Sequence, residues 1–174
     1  HGAQFNIEKL VWMNGHYLRA KTLDDLITLV RPWLEREFDL AAVPPERLRE
    51  AIRQQQERVK TLAEIADLTR FVFAKEIVYD TKAVEKVLKK EGIGDNLRAA
   101  AELLKTASFD PATIETALQK LAEERNAKLK DIAQPLRVAV TGSTVSPPIN
   151  ETLHILGRDV VLSRIEAALK MMSQ

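Results

Sequence analysis

The chain has 174 residues and a formal net charge of +1 at pH 7, so its composition does not favour a broad polyanion-binding surface. It contains no cysteine, which excludes a disulfide framework and thiolate metal sites. No apolar run reaches the roughly 18–20 residues needed to cross a bilayer. We therefore expect a cytoplasmic protein with a hydrophobic core, folded as one elongated body or as two small helical subdomains. Because the sequence starts at His1-Gly2, we interpret it as part of a longer protein.

Helical periodicity predicts a first helix near the N-terminus. Asn6 is placed to cap it, and Asn14-Gly15 is a turn dipeptide at which we expect it to stop. The large side chains of Trp12 and Tyr17 are expected to pack inside the protein.

Three further helix starts are indicated by capping residues or a first-turn proline, at Thr22, Pro45 and Thr61. Pro32 is expected to kink or interrupt the helix that follows Thr22. A change in the apolar spacing after Phe73 predicts two subdomains, residues 1–75 and 76–174.

The second half also reads as successive helices. Asn96 is expected to start one helix, and Asp110-Pro111 supplies the cap and first-turn proline of the next. A last amphipathic helix is predicted over residues 159–172. No strand-like alternation persists anywhere in the chain, so the predicted fold class is all-α.

The stretch 136–151, LRVAVTGSTVSPPINE, is the most distinctive part of the chain. Gly142 can take the left-handed conformation that ends a helix. Ser146 is predicted to cap the next helix, with Pro147 at its first position. Arg137, just upstream, offers a planar cationic group suited to phosphate or to a base edge. A junction of this kind is also an ordinary connector, and the residues alone leave both interpretations open.

Catalytic signatures are missing from the chain. There is no glycine-rich phosphate loop, no Ser-His-Asp or Cys-His combination, and the histidines are too scattered for a metal site. A lysine cluster could contact phosphates, although such clusters more often form a solvated helix face: Lys82, Lys86, Lys89 and Lys90. A binding module is therefore favoured over a catalyst.

Three segments together resemble the C-terminal part of bacterial glutamyl-tRNA synthetase, in the same order and at similar spacing: residues 5–19, 58–65 and 133–157. The resemblance spans nearly the whole chain. It implies two consecutive helical anticodon-binding subdomains of a class I aminoacyl-tRNA synthetase, which ligates glutamate to tRNA(Glu). ATP and Mg²⁺ would serve the catalytic domain that precedes this region. Because neither catalytic signature of the family occurs here, we expect no cofactor in this part and no aminoacylation by it alone.

The resemblance also implies the nucleic-acid-binding residues. Arg58 matches the arginine that reads the third anticodon base in enzymes restricted to tRNA(Glu). Arg137, Ser146, Pro147 and Ile149 match the loop and helix start that hold the other anticodon bases. Here the sequence departs from the family, since Ser146 stands where a threonine occurs and Ile149 where a leucine occurs.

Two alternatives remain open from the sequence. A helical protein–protein scaffold would explain the amphipathic helices and the near-neutral charge without RNA. A related synthetase that charges both glutamate and glutamine tRNAs is the second, but glutamine is often expected there at the position of Arg58. For Arg58 itself, the alternative role is a helix-end cation facing carboxylates such as Glu57.

Overall fold

A computed structural model describes residues 6–173, in which helices are the only regular secondary structure. The first group is α1 (Ile7–Ala20), α2 (Leu23–Leu34), a 3₁₀ turn (Leu40–Ala42), α3 (Pro45–Gln56) and α4 (Leu62–Phe73). The second is α5 (Thr81–Ala83), which continues as a π-helix (Val84–Leu88), then α6 (Ile93–Thr106), α7 (Pro111–Glu124), α8 (Leu129–Thr141), α9 (Ile149–Leu156) and α10 (Arg158–Met172). The predicted all-α fold class is confirmed.

The chain divides into two compact units, residues 1–74 and 75–174, one residue away from the predicted boundary. In the first unit α2, α3 and α4 pack on one another around buried aliphatic side chains such as Leu26, Ile52 and Ile65. Each such side chain contributes about 1.5–3 kcal/mol by leaving water. No helix of the described residues is long and apolar enough to span a membrane.

Most of the predicted helix starts are confirmed by hydrogen bonds. The side chains of Asn6, Thr22 and Asp110 each accept a bond from the backbone amide three residues later. The bond from Thr113 holds the pKa of Asp110 at about 2, below its ordinary value. Thr61 forms the full capping box with Glu64. The prediction for Asn96 was wrong, because α6 already starts after Gly92.

The first helix does not stop at Asn14-Gly15, and that prediction was wrong. α1 continues to Ala20 because a second segment of the unit lies against it at this point. The Asn14 amide donates to the Lys60 carbonyl, and Gly15 is buried with the Lys60 side chain 3.2 Å from where a Cβ would stand. The residues that suggested a turn instead allow a close approach between α1 and the α3–α4 junction.

The packing role predicted for Trp12 and Tyr17 was also wrong. Their side chains are 57% and 67% exposed, respectively. Trp12 meets only the edge of the His16 ring among aromatic partners in the described chain, with the ring centroids 4.3 Å apart. Leu10 and Met13 are exposed as well, so large apolar side chains are exposed on more than one side of α1. Pro32 lies on the exposed side of α2, which runs through it to Leu34.

Helix α8 is the centre of the second unit and contacts α6, α7, α9, α10 and the π-helix. Its last turn is buried on all sides, from Val138 to Thr141. It ends at Gly142, which has the predicted left-handed conformation with φ 77°. A Cβ at Gly142 would stand 2.9 Å from the carbonyl carbon of Val78, and closer still to its oxygen. Glycine is therefore required here by conformation and by space.

Gly92 and Gly142 have the same φ of 77°, so substitutions at the two positions separate the requirement for a left-handed conformation from the requirement for space. Gly92→Ala meets no atom within 4 Å, so we expect it to cost only the left-handed conformation, about 1–2 kcal/mol. Gly142→Ala must also displace the Val78 backbone and should cost about 3 kcal/mol or more. Urea unfolding of the two variants measures the difference. Equal losses would contradict the close approach at Gly142.

Candidate nucleic-acid interface

Arg58 lies at the junction of α3 and α4 in the first unit. Helix α3 ends at Gln56, and the amide of Arg58 donates to the Gln55 carbonyl at 2.9 Å, so the backbone is held one turn beyond the helix. The next side chain, Val59, is 1% exposed and belongs to the core. Burial of Val59 turns the Arg58 side chain outward, where it is exposed.

Contacts from three sides fix this junction. Glu64 accepts from the amides of Lys60 at 2.6 Å and Thr61 at 3.3 Å. The Gln56 side-chain amide donates to the carbonyls of Leu18 and Lys21 at the end of α1, at 3.1 and 2.9 Å. Together with the bond from Asn14, these contacts leave Arg58 on a rigid backbone, which favours geometric recognition of a ligand.

The other four predicted residues come together at the α8–α9 junction in the second unit. One nitrogen of the half-buried Arg137, Nη1, donates to the Ser146 hydroxyl, to the Ser146 carbonyl at 3.2 Å and to the Pro147 carbonyl at 2.7 Å. Charge-assisted bonds of this kind are about twice as strong as neutral ones. Arg137 therefore closes the loop from Gly142 to Pro148 onto α8.

Ser146 is not a helix cap, and that prediction was wrong. Helix α9 begins at Ile149, with Pro148 at its cap position and no side-chain capping bond. The Ser146 hydroxyl instead accepts from Arg137 and lies 3.1 Å from the Thr152 hydroxyl. Pro147 precedes the helix rather than starting it. The charge-assisted hydrogen bond from Arg137 holds the hydroxyl within the loop, so it does not bond the backbone amides at the start of α9 that a cap would satisfy.

Burial divides this junction into an inner and an outer part. Pro147 is buried and Ile149 is only 9% exposed, so Ile149 offers little aliphatic surface to a ligand. Thr144, Val145 and Pro148 are exposed instead. The roles of Arg137, Ser146, Pro147 and Ile149 in base recognition stay predictions, but the structure gives the first two a clear part in shaping the loop.

Sequence reasoning missed two residues that hold α8 in place. The Tyr79 hydroxyl donates to the Ala139 carbonyl at 3.1 Å, and burial raises its pKa, against a smaller opposing effect of the Arg164 charge. Arg164 is itself buried and donates to the Val140 carbonyl at 2.7 Å. An arginine on the inward side of α10, in line with Val161 and Ile165, is the pattern that could have indicated Arg164.

Comparisons with known proteins bear on the family and on the fold. A family model described as an anticodon binding domain matches residues 19–169. The chain belongs to this family. Its relatives include glutamate–tRNA ligases, which the sequence resembled.

Relatives of this anticodon-binding module include a glutamate–tRNA ligase of Syntrophobacter fumaroxidans, 38% identical over 170 residues that cover 98% of the chain and 36% of the relative. Glutamate–tRNA ligase 1 of Caldanaerobacter subterraneus is 34% identical over 174 residues, 99% of the chain and 36% of that relative. The chain thus spans about a third of the length of the relatives it matches.

Solved structures show the same fold. The crystal structure of a glutamate tRNA ligase from Elizabethkingia meningosepticum, in complex with its amino acid, matches 99% of this chain and 34% of that one with a TM-score of 0.88 at 22% identity. Glutamate-tRNA synthetase from Elizabethkingia anophelis matches 98% of this chain and 33% of that one with a TM-score of 0.78 at 24% identity.

The loop-closing role of Arg137 predicts the effect of Ser146→Ala. This variant removes a hydrogen-bond acceptor for Arg137 and a partner of the buried Thr152, so the free energy of unfolding should fall by about 1–3 kcal/mol. Thr144→Ala, in the exposed part of the same loop, is the control and should change it by less than about 0.5 kcal/mol. Urea unfolding of both variants checks this. Equal effects would contradict the role given to Ser146.

Proposed function

We propose that this chain reads the anticodon of tRNA(Glu) for a glutamate–tRNA ligase, with Arg58 selecting the third anticodon base. The observation that carries the proposal is the α3–α4 junction, where an exposed arginine stands on a backbone fixed from three sides. Family membership supports the general role, and the glutamate–tRNA ligases among the relatives support the choice of tRNA.

The chemistry of the two bases explains why an arginine would discriminate. The third anticodon base is a cytosine in tRNA(Glu) and a guanine in glutamine tRNAs. Cytosine offers the O2 and N3 acceptors on its pairing edge, which match the N–H donors of a guanidinium. Guanine offers the N1 and N2 donors there, so the contact would set donor against donor. A mismatch of this kind costs about 1–3 kcal/mol.

The exposed arginine favours this function over the two alternatives. An enzyme that accepts both tRNAs would need a side chain that both donates and accepts, such as glutamine, whereas Arg58 only donates. A pure protein scaffold would not need the fixed cation at the α3–α4 junction. The exposed apolar side chains of α1 fit a protein contact, but packing against another domain of the same enzyme accounts for them.

The matched relatives are about three times as long as this chain, and we propose that the parent protein likewise carries a catalytic domain. That domain would use ATP and Mg²⁺ to ligate glutamate to tRNA(Glu) in the cytoplasm. We propose that it covers the exposed apolar side chains of α1, which include Leu10, Trp12, Met13 and Tyr17. Only Gly15 and Leu18 of α1 are buried, so most of this helix is available for such packing.

Fluorescence tests the covering of α1. In a Trp33→Phe background Trp12 is the single tryptophan of this chain, and acrylamide should quench it efficiently because it is 57% exposed. In the full-length parent, the same residue should show blue-shifted emission and several-fold weaker quenching, relative to a full-length Trp12→Phe control. If Trp12 is quenched as efficiently in the parent as in this chain, α1 is not covered.

Replacement of Arg58 tests the anticodon reading. The wild-type chain should bind an anticodon stem-loop with cytosine at the third anticodon position about 5–150-fold more tightly than one with guanine. Arg58→Gln should reduce this ratio toward one, because an amide tolerates both bases. Filter binding at one fixed salt concentration measures the ratio.

Arg47→Gln on α3 is the control for loss of one positive charge, and it should weaken both RNAs equally. In the full-length enzyme, Arg58→Gln should likewise raise the kcat/KM for glutamine tRNA relative to tRNA(Glu). If Arg58→Gln weakens binding of both RNAs but leaves the ratio of their affinities unchanged, Arg58 contacts phosphate and does not read the base.

A further inference from the structure

A second polar site lies in the 75–174 unit and shares no lining residue with the Arg137–Ser146 contacts. It is a cavity of about 230 Å³ between the end of the π-helix, the start of α6 and the first turns of α8. Its polar lining consists of Lys90, Lys130, Asp131 and Gln134, and its apolar walls are Val87, Ile93 and Pro135. The volume lies below the roughly 300–1,000 Å³ typical of small-molecule sites, which suits a single planar group.

The polar groups of the cavity are available to a ligand. Within residues 6–173 the ammonium groups of Lys90 and Lys130 form no ion pair, and the Gln134 amide forms no hydrogen bond. The Asp131 carboxylate is engaged, since it accepts from the Lys128 amide at 3.2 Å. The cavity therefore has two ammonium groups without ion pairs and one carboxylate that already accepts a hydrogen bond, so its charge favours binding of an anion.

The backbone adds another polar feature. Pro135 has no amide, so it removes the usual helical donor from the Asp131 carbonyl four residues earlier. The cavity therefore combines the Gln134 amide and two ammonium groups with an apolar wall. A nucleotide matches this set, with a charged phosphate, a polar base edge and an apolar base face.

The surroundings favour a polymer over a free nucleotide. Lys82, Lys86 and Lys89 are exposed on the segment that leads to Lys90, and they extend the positive charge beyond the cavity. Gln134 also precedes Arg137 by one turn of α8, which puts the cavity beside the α8–α9 junction on the same helix. A chain of phosphates would follow such a surface, whereas a single nucleotide would not use it.

We propose that this cavity binds one nucleotide unit of the RNA, with Lys90 and Lys130 on its phosphate and an unpaired base against the apolar wall at Val87. The Gln134 amide hydrogen-bonds the base edge. This inference rests on the proposed function for the presence of RNA. It adds a contact region that neither Arg58 nor the α8–α9 loop supplies.

Paired lysine variants provide the test. Lys90→Gln/Lys130→Gln removes the cavity charges, and Lys120→Gln/Lys170→Gln removes the same net charge from exposed positions on α7 and α10. The probe is the anticodon stem-loop of tRNA(Glu), bound to the 174-residue chain over a range of salt concentrations. The cavity variant should make the dependence of log K on log salt shallower by about 0.7 for each lost phosphate contact, and the control pair should change it less.

A second measurement reports on the base rather than on charge. The side-chain amide signal of Gln134, assigned by its loss in Gln134→Ala, should shift in ¹⁵N-resolved spectra when the stem-loop is added. Cytidine monophosphate alone should shift it only weakly, because it lacks the neighbouring phosphates. A larger shift with the free nucleotide than with the stem-loop would overturn the assignment to RNA.

The outcomes separate this inference from the proposed function. Equal effects of the two lysine pairs, or an unmoved Gln134 signal, with the preference for cytosine over guanine intact, would overturn the cavity site alone. Loss of that preference only in Arg58→Gln, and a shallower salt dependence only in the cavity pair, would support both. A wild-type chain that does not bind the stem-loop would overturn both.

Discussion

The last turn of α8 is the feature on which the second unit depends. A helix end leaves backbone carbonyls without donors, and burial of such groups is costly unless other parts of the chain supply them. Here the donors come from outside the helix: Gly142 N to Val138, the Tyr79 hydroxyl to Ala139, Arg164 Nη1 to Val140, and Asp80 N to Gly142 at 2.8 Å. The segment before α5, the end of α8 and α10 are thereby joined at one buried point.

The two candidate recognition loops are built in a similar way. In each unit a helix–helix junction is held by a side chain from a helix that donates to its backbone. Asn14 of α1 donates to the Lys60 carbonyl at the α3–α4 junction, and Arg137 of α8 donates to the Ser146 and Pro147 carbonyls at the α8–α9 junction. Loops fixed in this manner lose little further freedom on binding, so more of the contact energy remains for selectivity.

Charge is used locally in this protein. The net charge of +1 gives no general attraction for RNA, and at least one guanidinium nitrogen of Arg137 is hydrogen-bonded within its own loop. The exposed Arg58 and the lysines beside the α8 cavity are the cations for which a contact with RNA is proposed. An interface of a few well-placed cations depends less on net charge and more on shape, which suits recognition of unpaired bases in a loop.

The sequence by itself determined the features that depend on neighbouring residues. The caps at Asn6, Thr22 and Asp110, the capping box of Thr61 and the left-handed end at Gly142 all follow from local hydrogen bonding and backbone sterics. The all-α class follows from the spacing of apolar residues. The family could also be named from the sequence, because its motifs include turns and polar residues whose combination is specific.

Only the tertiary structure decided what depends on residues distant in the chain. Asn14-Gly15 continues a helix because Lys60 lies against it, and Ser146 leaves its expected cap because Arg137 attracts its hydroxyl. Trp12 and Tyr17 are exposed because the core side of α1 is narrow, which no local pattern indicated. Ile149, predicted as a contact surface, is largely covered by the unit that holds it. At Asn14 and at Ser146 a tertiary contact outweighed a local preference, since one charge-assisted or buried hydrogen bond exceeds a typical propensity of under about 1 kcal/mol.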